Sequence, residues 1–367
     1  MSVSDLDSDR PPEPPRRRRS GTRRRRRPMD PFRAGGGDGT REAQLVGDIQ
    51  FDSYYGRQVV KAPPWRGPIA AYLFLGGLAG GCGMLSLGAQ LTDRPALRRN
   101  SRLVALGAVG LGTAALIEDL GRPERFLNMM RTFKVTSPMS LGTWLLGGFG
   151  TVSGVLGAIE VDRMVGEKVP LRSLRGLVHG METPLALAQG ALGPALASYT
   201  GALLADTAVP TWAASRDHLS YLFVSSASLA TGGAAMVTTP VVEAGPARLL
   251  AAAGVVGDVV TMRAMKESMH PLESEPLETG RAGTKLQWAE RLAIVGGIGA
   301  LVGGRRRWIA AASGAALLAA SALTRYGVLE AGLESVKDPR RVIEPQKARL
   351  AARRAAGITD DSITTAG

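Results

Sequence analysis

The residues best placed to do chemistry fall in segment 118–140, EDLGRPERFLNMMRTFKVTSPMS. Three acids (Glu118, Asp119, Glu124) and four bases (Arg122, Arg125, Arg131, Lys134) sit there between two apolar runs of membrane-spanning length. Charge so near lipid costs roughly 2.5–3.5 kcal/mol per ion at a helix centre unless it is paired. The segment is therefore either a plain surface loop or a working site. A second candidate is Asp258, inside the apolar stretch GVVGDVVTMRAM. A carboxylate within a span is a functional candidate by default, because exposure to lipid is expensive. The competing structural role is a pair with Arg263 or snorkelling near a helix end. Other polar groups mark the borders of apolar runs: Glu182, Gln189, Tyr199 and Asp206, then Glu290 and Arg291, then Arg325 and Tyr326. Trp65 and Tyr72 have the placement of interfacial belt residues at the start of the first run.

These groups need elements to position them, and the apolar runs supply them. A spanning helix takes roughly 20 mainly apolar residues. Segments 69–91, 102–120, 139–161, 183–204, 218–238, 247–265, 286–303 and 308–327 meet that need, the seventh being the shortest. Period-2 alternation is absent, and backbone facing lipid must satisfy its own hydrogen bonds, so the expected fold is all-α with about eight transmembrane helices in a bundle. The mean hydropathy of +0.03 understates this because the polar residues are segregated. The expected organisation is a basic N-terminal tail with a membrane-proximal segment (1–64), a transmembrane domain (65–332) and a polar C-terminal tail (333–367). Abundant glycine (47) and few aromatics (5%) suit closely packed helices. The Gly-rich stretches Gly76-Gly77-Leu78-Ala79-Gly80-Gly81 and Thr231-Gly232-Gly233 read as packing faces that also leave room for a flat ring.

The tail carries nine arginines within positions 16–27. Like charges at that density, with flanking prolines and Gly35–Gly37, favour disorder and contact with anionic lipid. No folded nucleic-acid domain follows, and the first apolar run starts too far on for a twin-arginine export signal. Loop charges do not decide orientation. Arg94, Arg98, Arg99 and Arg102 follow span one, and Arg122, Arg125, Arg131 and Lys134 follow span two. The basic start and the basic end (Arg340, Arg341, Lys347, Arg349, Arg353, Arg354) do, and place both termini of a multi-pass cell-membrane protein in the cytoplasm. The single cysteine, Cys82, rules out an iron–sulfur cluster or structural zinc held by this chain's own thiolates. His179, His218 and His270 fall at or beyond the ends of apolar runs, so no bis-histidine haem at depth is expected. No phosphate loop, Cys/His metal spacing or nucleophile elbow occurs.

Asp119-Leu120-Gly121-Arg122-Pro123, Arg125-Phe126-Leu127-Asn128-Met129 and Ser137-Pro138-Met139-Ser140 together resemble the signature of the NrfD/PsrC family, the polysulfide-reductase-type membrane anchors. Three further segments agree: the run from Ala71 to Gly81, the run from Tyr199 to Leu204, and Leu323-Thr324-Arg325-Tyr326 through Asp338-Pro339 to Val342, Pro345 and Gln346. The resemblance covers about residues 54–350. It implies eight helices and a quinone site, menaquinone or similar, at the membrane surface. It implies two partners, a ferredoxin-like iron–sulfur subunit and a molybdopterin catalytic subunit, with this chain passing electrons between the partner's clusters and the quinone pool. One departure is plain: where many family members carry His or Glu near the quinone, this chain has Trp65-Arg66-Gly67-Pro68. Arg66 then stands in as a donor, or the site is altered.

On that resemblance the site is expected at Asp119, Arg122 and Tyr199, with Trp65, Arg66 and Tyr72 beside the quinone. Asp119 relays protons, Arg122 orients it or pairs with it, and Tyr199 donates to a carbonyl. Two alternatives stay open: a proton- or ion-translocating or transporter-type protein with a path through Asp258, Glu182 and Asp206, and a pure membrane tether without a quinone site.

Overall fold

The computed structural model describes residues 58–120, 124, 126–168, 174–303 and 305–357. Most of the expected basic tail, and Arg122, lie outside the described residues. All elements within them are helical: α1 (Gly67–Leu91), α2 (Pro95–Asp119), α3 (Phe126–Met129), α4 (Pro138–Met164), α5 (Leu174–Gly180), α6 (Glu182–Ala205), α7 (Pro210–Ala214), α8 (Arg216–Thr238), α9 (Gly245–Ser268), α10 (Pro271–Ser274), α11 (Gly280–Gly303), α12 (Arg307–Ser335) and α13 (Arg340–Ala355), with a 3₁₀ turn at Glu275–Leu277. Six of these, α1, α2, α4, α8, α9 and α12, are long and apolar enough to cross a membrane. The long helices α6 and α11 coincide with the other two expected segments but are less apolar. Gln189, Pro194, Ser198, Tyr199 and Thr200 dilute α6, and Lys285, Gln287, Glu290 and Arg291 dilute α11.

Local chemistry sets the helix starts. Proline opens α1, α2, α4, α7 and α9, where its missing N–H costs nothing. Because α2 begins at Pro95, Arg102 lies two turns inside a helix and not at its start as the hydropathy pattern suggested. The N-terminus of α2 is capped from a distance, the Glu243 carboxylate accepting from the backbone N–H of Ala96 (2.8 Å) and of Leu97 (2.9 Å). The C-terminus of α8 receives the complementary charge. Arg307 donates to the carbonyls of Met236 (2.8 Å) and Thr239 (3.3 Å), and Asn100 donates to that of Thr238 (2.7 Å).

The long helices form two rings of four. In the first, α1 packs on α2, α2 on α4, α4 on α6, and α6 returns to α1; in the second, α8, α9, α11 and α12 close in the same way. The first ring meets the second where α1 and α6 pack on α8 and α1 touches α12. Neighbours in the first ring are antiparallel, since Gly142 meets Tyr199 while Gln189 meets Ser153, and Tyr72 lies by Gly112 while Gln90 meets Arg102. One end of that ring, the near end below, therefore gathers the start of α1, the end of α2, the start of α4 and the end of α6. The far end gathers their opposite termini. Backbone meets backbone between α1 and α6, where a Cβ on Gly80 would overlap the Gly193 carbonyl oxygen, and one on Gly193 would overlap that of Gly80. Small residues here let two backbones touch, which is how helices associate without a hydrophobic driving force between them. Gly80→Leu is therefore expected to cost at least about 1–3 kcal/mol through overpacking, read as a lower unfolding midpoint of the purified chain in detergent. An unchanged midpoint would refute this contact.

Candidate functional site

At the near end, the Tyr72 ring is buried against Gly112 of α2. One turn along the same face of α1, Gly76 is also buried, yet a Cβ placed there meets nothing within 4 Å. Across the ring, Tyr199 of α6 lies against Gly142 of α4, where a Cβ would overlap the phenol ring. Neither tyrosine hydroxyl makes a hydrogen bond among the described residues, and Thr200 Oγ1, buried beside Tyr199, has no partner. Half-buried Asp119 ends α2 within hydrogen-bonding reach of the Arg66 backbone N–H and near its guanidinium. The near end thus unites Asp119 with Arg66 and sets Tyr72 and Tyr199 two turns or less inside it. Trp65 belongs to a different contact. It stacks on Trp212 of α7 (centroids 5.5 Å apart, planes 27°), and the fully buried Trp212 donates through Nε1 to the Val328 carbonyl at 2.8 Å. Trp65 therefore pins the chain entering α1 to α7, which is held in turn by α12.

The charged link folds back over the first turns of α4. Ser140 Oγ donates to the Thr132 carbonyl (2.9 Å) and accepts from the Lys134 N–H (3.0 Å), and Phe133 meets Trp144 edge to face at 6.0 Å. Met130 reaches Gly147. Glu118, Glu124, Arg131 and Lys134 enter no ion pair among the described residues. Phe133, Val135 and Met139 remain exposed.

At the far end the opposite holds. Arg102 is fully buried and donates to Glu160 Oε1 (2.8 Å), Glu182 Oε1 (2.6 Å) and Gln90 Oε1 (2.5 Å), joining all four helices of the ring. Arg98 adds a bond to Glu160 at 2.9 Å, and Arg163 holds Glu182 at 2.9 Å. Nearby Asp162, also buried, receives Arg175 (3.0 Å) and His179 (3.1 Å) from α5. Sequence reasoning marked Glu182 but missed Glu160, Asp162 and Gln90. The available signal was a carboxylate at 160, inside a run expected to span.

Of the expected proton-path residues, Glu182 and exposed Asp206 stand at opposite ends of α6, and Asp258 is buried in the second ring. Arg263 does not pair with Asp258. It meets Glu290 at 3.2 Å on an exposed face. Asp258 instead faces the fully buried Arg325, which stacks on the Phe223 ring (3.8 Å to its centroid) and donates to the Phe223 carbonyl (2.5 Å). Among the described residues no group of three or more His, Cys, Asp or Glu is arranged to hold a metal.

Fold and site together define a multi-pass helical membrane protein whose first four long helices are tied by charge at one end and carry unpaired hydroxyls at the other. The family model for polysulphide reductase, NrfD, matches residues 57–265, and the chain belongs to that family. The C subunit of the polysulfide reductase of Wolinella succinogenes is 28% identical over 149 residues, covering 38% of this chain and 47% of that protein. The present chain thus spans about half the length of the curated relative it matches.

Removing the Arg102 guanidinium strands buried carboxylates. Arg102→Met is expected to destabilise the ring by about 3–5 kcal/mol, as breaking a buried ion pair does, with a matching fall in unfolding midpoint. Arg102→Lys, which keeps the charge but not the fork, should fall between. A midpoint unmoved in both variants would contradict the far-end assignment.

Proposed function

We propose that this chain is the membrane-anchoring, quinone-interacting subunit of an oxidoreductase complex. It passes electrons between a ferredoxin-like iron–sulfur subunit, itself linked to a molybdopterin catalytic subunit, and the membrane quinone pool, with menaquinone as the quinone. Family membership and the name of the Wolinella relative support a reductase complex. The observation that carries the quinone site is the near end itself. Two phenol hydroxyls without a hydrogen bond among the described residues stand at this end: Tyr72, one turn from the buried Gly76, where an added side chain would meet nothing within 4 Å, and Tyr199 on α6. These residues suit a flat ring bearing two carbonyl oxygens.

A bound quinone supplies the two-electron, two-proton acceptor. The chain supplies donors and a proton route. Tyr199 donates its hydroxyl to one carbonyl oxygen, and Tyr72 lines the opposite wall on α1. Asp119, next to Arg66 and nearer the surface, holds and releases protons. Arg122 orients Asp119 in the reading taken from the family motif. Exclusion of water falls to Leu146 of α4, buried in the core about two turns inside this end. In this proposal α6 and α11 cross the membrane with the other six long helices. Support comes from their lengths, 24 residues each, and from their packing between spanning neighbours. The basic residues at both ends of the chain support cytoplasmic termini.

Tyr199→Phe and Asp119→Asn are each expected to lower quinone-coupled electron transfer by at least about tenfold, the low side of a positioned proton donor, with assembly and heat stability retained. Unchanged turnover in both variants removes them from the site. Gly76→Leu fills the space beside Tyr72 and is expected to abolish quinone binding, measured by quinone retained on purification, without the loss of stability expected of Gly80→Leu. Retained quinone in Gly76→Leu would place the ring elsewhere.

A further inference from the structure

The turn between α8 and α9, residues 239–244, is ringed by arginine. It lies level with the far end, because Asn100 of α2 donates to the Thr238 carbonyl (2.7 Å). At the start of α2, Arg94 donates to the Glu243 carbonyl (3.4 Å) and Arg99 to Asn100 Oδ1 (3.1 Å). On α9, Arg248 donates to the Val241 carbonyl (3.0 Å). On α12, Arg307 holds the carbonyls of Met236, Val237 and Thr239. Arg305 and Arg306, immediately before it, are exposed and enter no ion pair among the described residues. The antiparallel packing of α9 on α11 sets the place of these two. Arg263 meets Glu290, and Val255 lies against Gly297. The same register carried on by two turns brings Arg248 level with the end of α11, where Arg305 and Arg306 follow.

Arg94, Arg99, Arg248, Arg305, Arg306 and Arg307 thus share this surface with two acids, Asp93 and Glu243. The Glu243 carboxylate is already taken by the N–H groups of Ala96 and Leu97. Carbonyl and amide oxygens satisfy hydrogen bonds here without cancelling charge, and Arg94 Nε is buried without a partner among the described residues. Arg305 and Arg306 therefore add positive charge that the turn itself does not neutralise. Guanidinium groups in this state suit phosphate oxygens, which they bind as a two-pronged fork.

Next to the arginines the surface turns apolar. Leu249 and Val256 on α9, and Ile298 and Val302 on α11, are all mostly exposed. Their spacing, seven residues on α9 and four on α11, keeps each pair on one side of its helix. Trp308, 70% exposed, follows the arginine turn directly and has the placement of an interfacial anchor. A soluble anion would use the arginines alone. A phospholipid would use both surfaces, its phosphate on Arg305 and Arg306 and its acyl chains along the exposed sides of α9 and α11. We propose that this corner of the second ring is a binding site for an anionic phospholipid. Bound there, the lipid neutralises the arginine turn and ties α9, α11 and α12 together at the membrane surface. The inference holds whichever leaflet the far end faces, and it does not depend on the quinone site at the other end.

Native mass spectrometry of the delipidated full-length chain, titrated with phosphatidylglycerol, tests the site. A one-to-one adduct is expected at concentrations where phosphatidylcholine gives none. Arg305→Gln combined with Arg306→Gln should weaken that adduct by about tenfold or more. Removing the same charge at the opposite end, by Arg216→Gln with Arg281→Gln, both exposed, should leave it unchanged. Leu249→Asn with Val302→Asn, which keeps every arginine, should also weaken it. Glycerol phosphate offers the phosphate without the chains and should not compete at equal concentration. Equal adducts with the two lipids, or equal loss in the two double-arginine variants, would overturn the site. Full competition by glycerol phosphate would overturn the lipid and leave a soluble phosphate ester as the ligand.

Discussion

The first four long helices depend on one fully buried guanidinium. Arg102 touches a group from each of the other three helices in its ring, and α2 itself supplies the arginine. Such a cluster is a costly way to gain stability, since desolvating the ions consumes most of their attraction. What it gives is register. With Glu160, Glu182 and Gln90 locked on one guanidinium, α1, α4 and α6 cannot slide relative to α2 without stranding a charge in a low-dielectric interior. The residues at the other end inherit that register. Tyr72 meets Gly112, and Tyr199 meets Gly142, because the far end holds the helices in phase.

The two ends of the ring are thus built on different physics. At the far end, acids and bases satisfy one another. At the near end, aromatic rings pack against glycines and their hydroxyls are left unpaired. Glycine serves both needs along α1 in opposite ways. Gly80 is glycine because a helix backbone presses on it, whereas Gly76 is glycine beside space that nothing fills. A helix that carries both functions has to be Gly-rich, and composition alone cannot separate them.

Much of this was legible in the sequence. The eight expected segments coincide with long helices among the described residues, six of them apolar enough to cross a membrane, and the charged link between the second and third marked the end at which the candidate site is proposed. The family signature reads directly from Asp119 through Ser140. What escaped was partner choice. Arg263 is the base nearest in sequence to Asp258, but it lies on the outer face and meets Glu290. Arg325, from a segment 67 residues later, is the one that turns inward. Trp65 carries the pattern of a belt residue, yet stacks on Trp212, a contact between a segment entering α1 and a short helix 147 residues away. Hydropathy also placed the start of the second span at Arg102, because it scores the first two turns of α2 as polar. Their charges are in fact absorbed by Glu160 and, through the helix N-terminus, by Glu243. Periodicity reports which face of a helix is buried, whereas ion partners depend on how separate helices are docked.

The central claim is that a quinone ring sits at the near end of the first ring, between α1 and α6. Photolabelling of the purified, full-length chain with an azido-quinone, followed by mass-spectrometric mapping of the adducts, tests it most directly. The account predicts adducts on α1 around Tyr72 and on α6 around Tyr199, suppressed by excess unlabelled quinone. Competable adducts confined to the second ring or to the far end, or no competable adduct at all, would contradict it.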